Sequence, residues 1–210
     1  MNIRRSLGVL VITVVAAFSV NSQEPTKPQS TEPASTTQTK QTTTQDYVFP
    51  TPRERFKRYV MSSVGPERLL RTGVSAGISH WRDSPEEWGQ GAKGYGRRYA
   101  SSLGQNLVQQ TVTYGLDSAL QLDTGFQKSK RQGFFPRLKD ALLENVTSRN
   151  KSGDRVFSVP RFAGVYTGAI VATETWYPER YSYKDGLRRG TRSLITGFGI
   201  NVVREFVINW

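Results

Sequence analysis

Residues 161–177 read RFAGVYTGAIVATETWY. Gly164, Gly168 and Ala172 recur every four residues, a spacing that places them in a smooth strip along one face of a helix, and Pro160 stands where a helix opens. A glycine costs a helix interior about 1 kcal/mol relative to alanine. So regular a set needs a reason, and the close approach of two helix backbones supplies it. The same spacing recurs at Gly73 and Gly77, and at Gly96, Ala100 and Gly104.

Other helix signals surround these strips. GPERLL at 65–70 places Pro66 at a helix start, and SPEE at 84–87 has the form of a capping box, with Ser84 as the cap, Pro85 in the first turn and Glu87 reaching back. FPRLKDALLENV at 135–146 puts Phe135, Leu138, Leu142 and Val146 on one face against Arg137, Lys139, Asp140 and Glu144. The final segment, from about Asp185, is read as helix. Strand signals do not recur, and the expected class is all-α.

The two halves also resemble each other. GYGRRYASSLGQNLV (94–108) and GLRRGTRSLITGFGINVV (186–203) share an Arg-Arg pair, then Ser-Leu, then an Asn before two apolar residues. Upstream, GVSAGISHWRDSPEEW faces GVYTGAIVATETWYPERY. The expectation is two Gly-packed helical hairpins, 65–120 and 158–209, related by internal duplication and joined through an amphipathic helix at 136–149. The glycine strips can meet within one chain or between chains, the latter building a homo-oligomer.

The first residues, MNIRRSLGVLVITVVAAFSVNSQ, combine a basic start, an apolar run too short to span a bilayer, and small residues at Val20 and Ser22, as in a secretory signal over 1–22. Residues 23–46, rich in Thr, Gln, Ser and Pro, read as a spacer with little to bury, ahead of a helical domain at 47–210. The chain has no cysteine, which excludes disulfides, thiolate metal sites and a lipid-modified start. The net charge is +12, of which the body from residue 47 onward carries +11, mostly on arginine. In an exported protein that charge points away from nucleic acid and toward anionic lipid or an envelope polymer.

Candidate sites are few. GQGAKG at 89–94 has the G-x-G-x-x-G spacing, yet a helix start with two carboxylates precedes it where a dinucleotide loop needs a buried strand, so no cofactor is expected. His80, Arg82 and Asp83 are the catalytic candidates, an envelope hydrolase being the alternative they would serve. One histidine and no cysteine leave no usual zinc ligand set. The binding candidates are the pairs Arg97–Arg98 and Arg188–Arg189, whose guanidiniums suit phosphate, with Trp81, Trp88 and Trp176 crowding the hairpin turns as a membrane-interface belt would. A second alternative is an outer-membrane β-barrel, because Val202, Phe206, Ile208 and Trp210 alternate, although Arg204 breaks the pattern.

GISHWRDSPEEWGQGAKGYGRRYASSLGQN and GVYTGAIVATETWYPER resemble segments of exported bacterial proteins that form an uncharacterised family. That resemblance implies an all-helical envelope protein and brings no activity, cofactor or catalytic residue. The resulting expectation is a non-enzymatic structural or binding protein at the periplasmic or outer-membrane interface.

Overall fold

The computed structural model describes residues 47–207. The expected signal (1–22) and spacer (23–46) and residues 208–210 lie outside the described residues. The chain is all-α: α1 (Pro52–Val64), α2 (Pro66–Trp81), a 3-10 turn (Glu86–Trp88), α3 (Gly91–Leu120), α4 (Phe134–Leu143), a short ribbon β1 (Thr147–Arg149) and β2 (Arg155–Phe157), α5 (Val159–Thr175) and α6 (Tyr183–Phe206). Val202 and Phe206 lie in α6, so the β-barrel alternative falls.

The start of α1 follows from local chemistry. The Thr51 hydroxyl accepts from the Glu54 amide and the Glu54 carboxylate accepts from the Thr51 amide, with Pro52 in the first turn. At Gly65–Pro66 the helix breaks, because proline has no amide to continue the ladder. The helices α1 and α2 then run end to end, antiparallel to the 30-residue α3, which is roughly 45 Å long. Tyr95 Oη donates to Gly73 O at 3.3 Å, the Asn106 amide to Ser62 O and Ser63 O, and Tyr59 and Thr111 share a hydroxyl contact at 3.0 Å. A second capping box, Ser182 with Asp185, starts α6.

The strip at Gly164, Gly168 and Ala172 packs as its spacing requires. A Cβ on Gly168 would stand 2.8 Å from Gln105 O, and one on Gly164 would stand 2.7 Å from Gln109 O, so α5 lies backbone to backbone against α3. This contact between the two hairpins is the most extensive among the described elements. On the other side of α5, Gly186 and Gly190 admit Ile170 and Tyr166, a strip absent from the sequence reading. The strips at 73/77 and 96/100/104 behave differently. Gly77 and Gly96 face nothing within 4 Å, and Gly104 meets only the ring of Trp176.

Two local expectations are corrected. The SPEE stretch forms no capping box. The Ser84–Pro85 peptide is cis, the 3-10 turn has no side-chain cap, and the Glu87 carboxylate pairs with Arg180 rather than reaching back. The amphipathic helix spans Phe134–Leu143 instead of 136–149, since residues 147–149 pair with β2 and Asp123 bridges to Arg149. Its orientation is also inverted. Asp140 and Glu144 are buried while Phe135 is 79% exposed, because Arg155, Arg149 and Ser129 supply donors for the carboxylates inside the fold.

The same inversion extends through the molecule. Among the described residues the buried hydrophobics are Ala76, Ala141, Val165, Ala169 and Ala172. Larger apolar side chains stay outside, including Phe56, Val60 and Val64 on α1 and Leu70, Val74, Ile78 and Trp81 on α2. Both sets recur every three or four residues, so each forms one outward stripe. No described helix is long and apolar enough to cross a membrane.

Candidate functional site

The turn between α2 and α3 closes around Arg98. Its side chain is 1% exposed, and each of its five N–H groups has an acceptor. Nε donates to Ser84 O at 3.1 Å; Nη1 to Gly89 O at 2.6 Å and His80 Nδ1 at 3.2 Å; Nη2 to Pro85 O at 2.6 Å and Asp83 Oδ1 at 3.0 Å. Gly89 and Gly91 take positive φ in this turn, and a Cβ on Gly94 would strike Gly89 O. The G-x-G-x-x-G spacing is therefore the geometry of a tight helix entry packed around an arginine.

This arrangement separates the catalytic candidates. A general-base histidine needs a partner that orients it toward substrate. Here Arg98 stands between His80 and Asp83, bonding both, and Arg82 lies exposed with no partner among the described residues. No His–Asp dyad is assembled, and among the described residues no cluster of His, Asp and Glu could hold a metal ion.

The second turn docks against the first. Arg180 pairs with Glu86 and with Glu87 at 2.7 Å, and Trp88 packs on Tyr177 with ring centroids 4.8 Å apart. Arg189 donates to Tyr177 Oη at 2.8 Å, and its guanidinium lies over the rings of Tyr177 and Tyr181. Trp176 Nε1 donates to Ser101 Oγ at 2.8 Å. Between the turns lies an open cleft of about 450 Å³, lined by Trp88, Arg97, Ala100, Ser101, Gly104 and Trp176.

The four paired arginines thus differ in role. Arg98 is withdrawn as a surface contact, since it is buried with its donors satisfied. Arg189 is held by Tyr177. Arg188 is exposed, 3.7 Å from Asp185, and Arg97 is exposed without a hydrogen-bond or ion-pair partner among the described residues. Trp88 and Trp176 share the cleft; Trp81, 84% exposed, instead ends the outward stripe on α2.

A buried ionic network at the other end of the bundle escaped the sequence reading. Asp123 accepts from Tyr47 Oη and Arg58, Glu144 from Arg149 and Arg155, and Glu205 from Arg137 Nε at 2.8 Å and the Ser129 amide at 3.0 Å. Burial raises the Glu144 carboxyl above its ordinary range against the pull of Arg155 and Arg149. Burial also pushes Asp140 upward, but hydrogen bonds from Ser129 and Arg155 and the charges of Arg155 and Arg131 outweigh it and leave that carboxyl low. Asp117 is pushed up to about 6 by burial, although Thr124 donates to it twice. Its Oδ1, together with Arg161 Nε and Arg149 Nε, is buried without a hydrogen-bond partner among the described residues. The network ties α1, α3, α4, the ribbon and α6 together. Asp117, Asp123, Asp140, Glu144 and Glu205 are all buried, and Arg58, Arg131, Arg137, Arg149 and Arg155 are engaged in pairing with four of them. The sequence signal for it was the Asp140/Glu144 pair, one helical turn apart.

The chain matches no family model, no curated protein and no solved structure.

Proposed function

We propose that this is an exported, non-enzymatic envelope protein that attaches to an anionic membrane surface through α1 and α2. The observation that carries this reading is the outward stripe Leu70, Val74, Ile78 and Trp81 on α2, with a second exposed apolar set, Phe56, Val60 and Val64, on α1. Large exposed apolar patches mark interaction surfaces, and a helix with one apolar face and a basic flank suits the lipid interface. The flank is supplied by Arg53 and Lys57 on α1 and by Arg82 after α2, all exposed. Fully burying one such apolar side chain is worth about 1.5–3 kcal/mol, and each nearby cation adds about 1 kcal/mol on an anionic leaflet. The exposed cations of this flank are available for headgroups. The sequence of residues 1–22 supports export, and the resemblance to exported bacterial proteins supports an envelope location. The geometry around His80 lends the hydrolase alternative no support.

Sedimentation with phosphatidylglycerol and phosphatidylcholine vesicles tests the reading. Binding should favour the anionic vesicles and weaken with salt, and Leu70→Ser with Ile78→Ser should abolish it while leaving the helical circular dichroism intact. Equal binding by this double variant, or Trp81 remaining open to an aqueous quencher on vesicles, would sink the proposal. A change in solution mass in the same variant would assign the stripe to a second copy of the chain instead.

A further inference from the structure

We propose that the cleft between Trp88 and Trp176 binds the ring of an acidic saccharide, with its phosphate or carboxylate held by Arg97. The walls are two indoles that the fold holds in place: Trp176 is fixed by its hydrogen bond to Ser101 and Trp88 by its packing on Tyr177, which Arg189 in turn anchors. An indole wall offers a flat apolar surface to the C–H face of a sugar ring, and about 450 Å³ lies within the range of small-ligand sites. Arg97 lines the same cleft, and its guanidinium can grip an oxyanion through two parallel hydrogen bonds. The nearby carboxylates Glu86 and Glu87 are engaged by Arg180, which reduces their repulsion of an anion.

The floor carries an independent argument. Glycine at position 104 costs α3 about 1 kcal/mol relative to alanine, yet a Cβ there would meet only the Trp176 ring, at an ordinary contact distance of 3.5 Å. Helix packing therefore does not require Gly104. Gly104 also lines the cleft, so the missing side chain leaves room beside the Trp176 ring. The proposal does not rest on membrane attachment, since it concerns other residues and a soluble ligand can test it.

The test is titration of the full chain with glucose phosphate, glucuronate, neutral glucose and inorganic phosphate, followed by tryptophan fluorescence and ligand-observed NMR. One or both acidic sugars should bind at least about tenfold more tightly than glucose, one charge-assisted contact being worth that factor or more, and more tightly than inorganic phosphate, which lacks the ring that the indoles contact. The two acidic sugars distinguish a phosphate from a carboxylate. Arg97→Ala should weaken binding about tenfold, and Gly104→Leu should abolish it by filling the floor. Because Arg97 is exposed and has no hydrogen-bond or ion-pair partner among the described residues, its variant folds even if Gly104→Leu does not. Four results would each overturn the proposal: no binding of either acidic sugar, equal binding by Arg97→Ala, inorganic phosphate binding as well as its sugar ester, or Gly104→Leu changing the solution mass while leaving sugar binding intact.

Discussion

Arg97 and Arg98 are adjacent in sequence, and their replacement by alanine should have opposite consequences. In Arg98→Ala, five acceptors lose the guanidinium: the carbonyls of Ser84, Pro85 and Gly89, Nδ1 of His80 and the carboxylate of Asp83. Hydrogen bonds to a charged group contribute about 1.5–3 kcal/mol each, but their sum is not the answer. Removing the guanidinium also removes the cost of burying it, and the exposed Ser84 and Asp83 can turn to water. Pro85 is buried, and its carbonyl keeps only the Trp88 amide, at 3.3 Å. Leaving a buried acceptor without its charged donor typically costs about 1–3 kcal/mol, and the Gly89 and Pro85 carbonyls together place this case at about 3 kcal/mol. For a body of this size that is a fall in Tm of about 6–12 °C. Arg97→Ala should stay within about 0.5 kcal/mol of the parent, as exposed substitutions usually do. Urea unfolding of both variants, followed by circular dichroism, gives the two energies. Limited trypsin digestion adds a local readout, because releasing the turn should speed cleavage after Arg82 in the Arg98 variant alone. If Arg98→Ala unfolds within about 0.5 kcal/mol of the parent, or if both variants lose equally, Arg98 does not organise the turn.

Alanine substitutions of the glycines should likewise divide by sign. Gly168→Ala drives a Cβ to 2.8 Å from Gln105 O, so α3 and α5 must part, and chemical unfolding should show a net loss of about 1–2 kcal/mol after the helix-propensity gain. Gly96→Ala meets nothing within 4 Å and should instead gain about 0.5–1 kcal/mol. Asp117 titrates near 6 in the fold, above its unfolded value, so the folded state takes up its proton first. The stability from that proton is fully present below about pH 4 and is lost as pH rises through 6, an upper span of about 3 kcal/mol. Asp117→Asn should flatten this part of the profile and raise Tm at pH 8; an unchanged slope between pH 4 and 6 would show that other groups set it.

The sequence by itself determined the class and most of the helices, although α1 went unread and residues 147–149, expected in α4, pair with β2 instead. The four-residue spacing of Gly164, Gly168 and Ala172, the proline at 66 and the polar–apolar period of α4 are local features, and a helix responds to neighbours three and four positions away. Local spacing also found the strip that α5 presses against α3. It could not say which strips would find a partner, because Gly96 and Gly164 have the same spacing and differ only in what stands opposite. Nor could it orient α4: the pattern defines two faces, and only the tertiary contacts of Asp140 and Glu144 with Arg155, Arg149 and Ser129 turn the polar one inward. The candidate sites divide in the same way. Composition and the Trp–Arg clustering at 81–98 and 176–189 pointed to the hairpin turns, where the cleft lies. Whether an arginine there is buried or free, as Arg98 and Arg97 are, depends on which carbonyls the folded turn brings within reach of each guanidinium. Burial and hydrogen bonding are properties of neighbours in space, and those neighbours are set when the helices pack.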